Sequence, residues 1–258
     1  MSREVELPAR LRRYYTAYYR DVLGIPGWAG LVELRQTEEA HDRVRLARLR
    51  RLAGGELAGS RVLNVGCGTG GFEVAAAEAG ARVVGVDADR EAIAICGARR
   101  AAHGAQYAEA AAEALPFSDG AFDLVHCFSV IEHVESVERT VQEMVRVTRA
   151  GGTIYVHTPN AWSWWEGHYK VFWVPFLPRA LGRLYLRLRG RPTAYLRTLR
   201  RLTPGRLTRA FRAAGVTALT VFDEDRPREG GGPLRPLTGA YYRLLGVSPF
   251  IELIARKP

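Results

Sequence analysis

Residues 62–71 read VLNVGCGTGG, a short apolar run that passes directly into glycines. Glycine at 66, 68 and 70 lets the backbone turn sharply and lie against a ligand, and a helix that starts there points its amino terminus at that ligand. The glycines at 66, 68 and 71 also satisfy the G-x-G-x-x-G pattern of dinucleotide sites. We therefore expect a ligand-binding turn between a buried strand and a helix.

Strands and helices alternate outward from this turn. The predicted strands are Arg61–Val65, 82–86, 106–107, Phe122–Phe128, 153–157, 216–222 and 250–255, and the predicted helices are 72–79, 90–102, 137–148 and 204–214. This alternation is typical of right-handed crossover units in a parallel sheet with helices on both faces. Residues 8–53 read as helices that precede this α/β unit. After Thr158 the alternation stops for about 45 residues, and so long an interruption indicates a functional use.

Composition and segment patterns exclude several classes of protein. The chain has 258 residues, of which 47% are hydrophobic and 25% charged, which excludes a disulfide scaffold, a collagen-like fibre and wholesale disorder. No apolar run reaches about 18 residues, and the start MSREVELPAR lacks the apolar core of a signal peptide, so we expect a cytoplasmic protein. The cysteines at 67, 96 and 127 have no metal-type spacing, which argues against a zinc site.

An acidic residue follows the glycine turn at the tip of the second predicted strand. Asp87 lies 21 positions after Gly66, and an acid at that place can accept hydrogen bonds from both hydroxyls of a ribose. A helix N-cap is the alternative role, for which Asp89 competes. Turn and acid together predict a nucleoside ligand, and a nicotinamide-dependent oxidoreductase remains an alternative at this point.

The motifs together resemble the class I S-adenosylmethionine-dependent methyltransferases. The resemblance runs through VLNVGCGTG (62–70), VVGVDAD (83–89), AEALPF (112–117), FDLV (122–125) and IEHV (131–134). It is strongest to the small-molecule branch that includes the quinone-biosynthesis O-methyltransferases. It implies a Rossmann-like, doubly wound seven-stranded sheet whose last strand is antiparallel. We divide the chain into a helical cap at 1–58 and a methyltransferase domain at 59–258, with a helical and aromatic lid insertion at about 160–202.

The resemblance also implies a binding site for S-adenosylmethionine, which would leave as S-adenosylhomocysteine. Carried over by position, the cofactor-binding residues are Gly66, Cys67, Gly68, Asp87, Ala88, Ala112, Glu113 and Phe128. Two positions depart from the family pattern. Asn64 stands where an acid usually begins the glycine motif, so an indirect contact to the cofactor amine is weakened to an amide. Ala111 stands where an aspartate often receives the adenine amino group.

The expected reaction is O-methylation of a hydroxylated small molecule, such as an aromatic or polyketide-like metabolite. N- or C-methylation of a small or lipid-linked acceptor is the alternative within the class. His133 and His168 are the candidate bases for removing a hydroxyl proton. The candidate acceptor-binding residues are Tyr14, Tyr18, His157, Trp162, Trp165 and Tyr169. Glu132 and His133 could help hold a divalent ion, but Ser129 occupies the place of the third carboxylate, so we expect no metal.

Basic charge concentrates in one part of the chain. Residues 167–222 hold 12 basic residues and no acid. A helix there can place Leu181, Leu184, Tyr185 and Leu188 on one face and arginines opposite, a pattern that suits either an anionic membrane surface or a solvated face on an ordinary lid. We expect this segment to be a mobile lid that meets an anionic partner. We do not expect a nucleic-acid partner, because the base-methylation tetrapeptide N/D-P-P-Y/F is absent after the fourth strand.

Overall fold

The computed structural model describes residues 3–222 and 235–258 of the chain. The strands are β1 Arg61–Val65, β2 Arg82–Asp87, β3 Gln106–Glu109, β4 Phe122–Phe128, β5 Thr148–Pro159, β6 Trp165–Glu166, β7 Val171–Phe172, β8 Ala218–Phe222 and β9 Phe250–Arg256. The α-helices are α1 Arg3–Thr16, α2 Trp28–Gln36, α3 Glu38–Ala53, α4 Gly71–Glu78, α5 Arg90–His103, α6 Val137–Val147, α7 Arg179–Leu188, α8 Pro204–Ala213 and α9 Arg235–Leu245. A π-helical turn at Ala17–Val22 follows α1, and a 3-10 turn at Tyr195–Arg197 follows α7.

Seven strands form one sheet in the order β3-β2-β1-β4-β5-β9-β8. The last strand, β9, runs antiparallel to both β5 and β8, which confirms the predicted architecture. The order reverses between β1 and β4, and in open α/β sheets ligands bind at the carboxyl ends of the strands that flank such a reversal. β1 and β4 carry the glycine turn and the IEHV segment, so the topology brings these two motifs together.

The helices that precede β1 pack on two different parts of the molecule. Leu46 and Leu49 of α3 join the core on one face of the sheet. Tyr15 of α1 and Tyr19 of the π-helical turn instead join a core that includes Leu186 and Leu196 of the insertion. Inserting a residue into a helical turn re-aims the side chains around it, and such turns often occur at functional sites. Here the π-helical turn carries Tyr18 and Tyr19 over the sheet edge.

The insertion after β5 contains the hairpin β6–β7, helix α7 and the 3-10 turn. Helix α7 does have the predicted apolar face, but that face points away from the protein. Leu181, Leu184 and Leu188 are 52%, 53% and 79% exposed, whereas Leu186 is buried. The helix therefore packs through Leu186 and leaves a leucine stripe beside its arginines uncovered.

The end of the chain departs from the sequence prediction in one element. Helix α9 was not predicted, because its sequence follows a run of glycine and proline that reads as a loop. The sequence also predicts a proline-rich loop at 226–236 between the last two strands, and it lies largely outside the described residues. No helix within residues 3–222 and 235–258 combines the length and apolar character needed to cross a bilayer.

Candidate functional site

Two adjoining cavities open at the carboxyl edge of the sheet. The first encloses about 860 Å³ and runs from the glycine turn to the tip of β4. The second encloses about 410 Å³ between the N-terminal helices and the insertion. The residues that line both are Tyr18, Arg35, Glu38, Asp42, Arg45, Ser129 and His133. Both volumes are in the range of small-molecule sites, so two ligands can meet across a shared wall.

The glycine turn forms the floor of the first cavity. Gly66 and Gly68 have φ values of 76° and 54°, a left-handed conformation that glycine adopts without strain. A side chain at Gly66 would meet Val130, whereas nothing lies within 4 Å of the place where a Gly68 side chain would start. Cys67 between them also lines the cavity. Backbone at Gly68 is therefore open to a ligand.

Asp87 lies beside the turn at the end of β2, and its side chain lines the first cavity. Its carboxylate accepts hydrogen bonds from the backbone N–H of Gly68 at 2.8 Å and of Asp89 at 2.9 Å. Asp89 instead caps α5, because its carboxylate accepts from the N–H of Glu91 and Ala92. The N-cap role thus belongs to Asp89, and Asp87 remains at the cavity wall.

A buried polar network lies beneath the glycine turn. The Asn64 side-chain amide donates to Glu73 Oε1 at 2.7 Å, and its oxygen lies 2.7 Å from His126 Nδ1. Burial raises the pKa of Glu73 to about 8 and lowers the pKa of His126 well below its usual value. Asn64 lines the first cavity and Glu73 does not, so the expectation that an amide replaces the usual acid at this place stays a prediction, with the protonated Glu73 side chain holding the amide in position.

The far end of the first cavity is lined by Ala88, Ala112 and Glu113. The Glu113 carboxylate accepts from the backbone N–H of Glu135 at 2.6 Å and of Ser136 at 3.2 Å. Because this carboxylate is already hydrogen-bonded to the start of α6, it fixes the loop that borders the cavity. The three residues stand where an adenine was expected.

Phe128 ends β4 and forms part of a stack of rings. The Arg45 guanidinium carbon lies 3.7 Å from the centroid of the Phe128 ring, and His157 stacks behind that ring at 4.0 Å. His157 is buried and lines neither cavity. Its predicted contact with the acceptor therefore needs correction, since Phe128 separates it from the open space. Arg45, which sequence reasoning missed, sits among many arginines of α3 and has no distinguishing signal.

Three residues that follow β4 and β6 form a cluster, which we call the carboxylate–histidine cluster: Glu132, His133 and His168. Glu132 Oε1 is buried without a hydrogen-bond partner and lies 3.8 Å from Nε2 of each histidine. Possible metal-ligating atoms of the three lie within 4.8 Å of one another. His168 thus offers a third possible ligand, and the cluster could hold a divalent cation. The absence of a metal stays a prediction.

Proton affinities differ within this cluster. Burial, with the nearby His168, lowers the pKa of His133 to about 3, and burial raises the pKa of Glu132 to about 7. Burial alone would lower the pKa of His168, but its hydrogen bond at 2.8 Å to Glu166 and the charge of that residue raise it. His168 therefore holds a proton more readily than His133, which is a neutral imidazole at the shared wall at pH 7.

Tyrosines close the cavities from the side of the helices. Tyr14 and Tyr18 both line the first cavity, as expected of contact residues. Tyr14 donates to Asp89 at 2.9 Å, and the Tyr18 hydroxyl lies 2.8 Å from that of Tyr195. Tyr195 lies 3.5 Å from His133 Nε2. Sequence reasoning missed Tyr195, because its place in an arginine-rich segment gives no sign that the 3-10 turn returns to the sheet.

Three other aromatic residues lie away from both cavities. Tyr169 is fully buried and accepts a hydrogen bond from the Leu196 backbone N–H. Trp162 packs against Phe176, and Trp165 lies in the small hairpin. Neither tryptophan lines the two cavities, nor does Tyr169. Their assignment to the acceptor site needs correction, because these rings hold the insertion together.

Comparison with known proteins gives consistent results. Residues 63–156 match a family model described as a methyltransferase domain. The chain is 30% identical over 239 residues to the ubiquinone biosynthesis O-methyltransferase of Aromatoleum aromaticum, covering 91% of this chain and 89% of that protein. A protein of the same name from Ralstonia nicotianae is 37% identical over 105 residues, or 40% of this chain and 44% of that protein. The crystal structure of an S-adenosylmethionine dependent methyltransferase from Mesorhizobium loti has the same fold, with a TM-score of 0.58 at 22% identity over 80% of this chain and 95% of that chain.

Proposed function

The chain belongs to the S-adenosylmethionine-dependent methyltransferases, and from this premise we propose that it methylates a hydroxyl of a small, partly apolar molecule. Membership sets aside the nicotinamide-dependent oxidoreductase that the glycine turn alone left open. The observation that carries the proposal is the pair of adjoining cavities with a neutral histidine in their shared wall. One cavity suits the cofactor, and the other is of a size for an acceptor.

The residues of the first cavity fit the cofactor by chemistry and by space. Gly68 presents open backbone, and Asp87 offers a carboxylate that can accept from ribose hydroxyls. Arg45 is a cation beside Phe128 that can meet a carboxylate. When bound, S-adenosylmethionine supplies an electrophilic methyl group on a sulfonium, which is a good leaving group. Its binding there through Gly66, Cys67, Gly68, Asp87, Ala88, Ala112, Glu113 and Phe128 is our proposal, as is the release of S-adenosylhomocysteine.

The second cavity would receive the acceptor. Its walls include the apolar side chains of Leu23, Leu31 and Phe250, which can exclude water from one side of a ligand. Ser129 and His133 stand between the two cavities. Ser129 has a φ of 55°, an unusual conformation for a residue with a side chain and one that is often found at functional sites. A hydroxyl held at this wall would face the cofactor.

His133 would assist by accepting the hydroxyl proton. The ring is neutral at pH 7, and the neutral ring has a nitrogen that can accept. Because burial also makes the imidazole a weak base, its role depends on a nearby negative charge that stabilises the charged ring. The Glu132 carboxylate 3.8 Å from Nε2 would stabilise the ring once it is charged. Nδ1 of His168 is hydrogen-bonded to Glu166 at 2.8 Å, so we propose that His168 acts on His133 and Glu132 rather than as a second base.

The acceptor is best found by labelling. Cell extract is incubated with the protein and methyl-labelled S-adenosylmethionine, and products are analysed by mass spectrometry, with Asp87→Ala as the cofactor-site control. We expect label on the oxygen of a small hydroxylated molecule with the unsubstituted protein only. Label on a nitrogen or carbon of such a molecule would contradict O-methylation and show that the protein is an N- or C-methyltransferase. Label in RNA would contradict the small-molecule proposal.

We also propose that helix α7 docks on an anionic membrane surface, as its sequence suggested. Support comes from the uncovered stripe of Leu181, Leu184 and Leu188 next to arginines, since apolar and cationic groups together favour anionic bilayers. Sedimentation with anionic vesicles should fall when Leu184 and Leu188 are changed to serine. Leu244→Ser on α9, where the leucine is 86% exposed, is the matched control. Equal sedimentation with neutral vesicles would contradict this proposal.

A further inference from the structure

Arg35 occupies an unusual place in the wall that the two cavities share. It lies near the end of α2, and its guanidinium carbon stands 5.0 Å from the centroid of the Tyr15 ring. Its Nε donates to the Tyr19 hydroxyl at 2.9 Å. Within residues 3–222 and 235–258, its two terminal nitrogens have no hydrogen-bond partner and no carboxylate lies within ion-pair distance.

The carboxylates nearest to Arg35 are already paired with other cations. Glu38 accepts from Arg99 Nη2 at 2.6 Å and from the Tyr15 hydroxyl at 2.8 Å. Asp42 accepts from Arg45 at 2.6 Å. Arg99 also pairs with Glu39, and the charge of Glu38 acts on Arg35, so the charges of this wall are shared. Neither Glu38 nor Asp42, however, accepts a hydrogen bond from the terminal nitrogens of Arg35 in the described part of the chain.

Arg35 is half-buried at the wall, and its unpaired terminal N–H donors can bind an anion that arrives with a ligand. The guanidinium presents parallel N–H donors whose spacing matches a carboxylate or a phosphate. The second cavity adds an exposed cation, Lys170, at its wall. One side of the wall is apolar, with Leu23, Leu31 and Phe250, and the acids in the wall, Glu38 and Asp42, are hydrogen-bonded to Arg99 and Arg45. The cavity therefore suits a small apolar body with one anionic group.

We propose that the acceptor is a small hydroxylated acid whose anionic group pairs with Arg35 in the second cavity. Its hydroxyl would then lie toward His133, which lines the same cavity and the first. This inference rests on the proposed methyl transfer and specifies its substrate class. Arg45 also lines both cavities, but it donates to Asp42 and stacks on Phe128, whereas the terminal nitrogens of Arg35 are unpaired.

The test compares a probe acid with its neutral amide. Binding of 3-hydroxybenzoate, 3-hydroxyphenyl phosphate and 3-hydroxybenzamide is measured by calorimetry on protein saturated with S-adenosylhomocysteine. We expect at least one of the two anions to bind roughly 10- to 100-fold more tightly than the amide, as for loss of a hydrogen bond to a charged group. The anion that binds more tightly shows whether the second cavity prefers a carboxylate or a phosphate. Equal affinity for anions and amide would overturn the proposal.

Variants assign the preference to the residue. Arg35→Gln should remove the preference for the anions over the amide. Arg35→Lys keeps the charge but loses the parallel N–H donors, so it should weaken anion binding several-fold. Arg43→Gln is the matched control, because Arg43 pairs with Glu78 on the surface and lines neither cavity. Thermal unfolding and affinity for S-adenosylhomocysteine show whether each variant is folded. If Arg35→Gln does not fold, the comparison is made with Arg35→Lys alone. A preference unchanged in the folded variants would refute the assignment.

Two further results separate this inference from the proposed function. If Arg35→Lys weakened the binding of S-adenosylhomocysteine tenfold and left the binding of the probe acids unchanged, Arg35 would contact the cofactor and the inference would be wrong. If the unsubstituted protein bound no S-adenosylhomocysteine, the proposed methyl transfer would fail. The anion preference and its dependence on Arg35 could still be measured without that ligand.

Discussion

Substituting Glu73 by glutamine should make the folded protein more tolerant of alkaline pH. Glu73 is fully buried, and burial raises its pKa to about 8 from an ordinary 4.5. The amide in Glu73→Gln keeps an oxygen that can accept from Asn64 and resembles the protonated acid, but it cannot ionise. The variant therefore retains the buried contact and removes only the titration.

The size of the effect follows from the shifted pKa. The folded state holds the Glu73 proton up to about pH 8, whereas the unfolded chain releases it near 4.5. The stability from this group is therefore fully present below 4.5 and is lost as pH rises toward 8. Within that window the free energy of unfolding falls by about 1.4 kcal/mol per pH unit. Between about pH 6 and 8 the loss from Glu73 is roughly 2–3 kcal/mol.

Urea unfolding at pH 6 and pH 8 measures this difference. We expect Glu73→Gln to gain roughly 2–3 kcal/mol relative to the unsubstituted protein between the two pH values. The matched control is Glu91→Gln, because Glu91 is exposed in the first turn of α5. If the Glu73 variant and the unsubstituted protein lose stability equally over this range, the buried carboxylate does not titrate as argued.

Three other predictions concern the turn, the sheet and the carboxylate–histidine cluster. Gly66→Ala should lower the free energy of unfolding in urea by about 2 kcal/mol or more, because φ is positive and the new methyl would clash with Val130. Gly68→Ala, with open space around it, should cost less. Arg48→Met should lower the free energy of unfolding by about 3–5 kcal/mol in the same assay, because it leaves Glu252 buried without this cation. The double variant with Glu252→Met should lose less stability, and an equal loss in the two variants would refute the pairing. Dialysis against a chelator should leave methyl transfer unchanged, and loss of activity restored by a divalent metal would show that the cluster is a metal site.

The fold was predictable because its signals are local. The glycines that follow β1 and the acid that ends β2 lie within 26 residues of one another, and each is tied to its element by backbone geometry. Helix α9 was missed because tertiary packing, through the buried Tyr242, stabilises a segment that follows glycine and proline. The exposed stripe of α7 was predicted as a face, but periodicity does not tell which face a neighbour covers.

The candidate site was less predictable, because it is assembled from distant segments. His168 meets Glu132 across 36 positions, and Tyr195 meets Tyr18 across 177. Arg35 is one of many arginines, and the sequence does not reveal that its side chain lines both cavities. The aromatic cluster after β5 was read as acceptor surface, yet Tyr169 packs inside the insertion. Composition alone does not separate an aromatic core from an aromatic site.

Titration of the protein with S-adenosylmethionine by calorimetry tests the central claim, that the first cavity holds this cofactor through Asp87. We expect saturable one-to-one binding and no comparable response to NADH. Asp87→Ala should weaken binding by roughly 1.5–3 kcal/mol, or about 10- to 100-fold, because hydrogen bonds to a charged partner are lost. Unchanged affinity in that variant, or binding of NADH without binding of S-adenosylmethionine, would contradict the account.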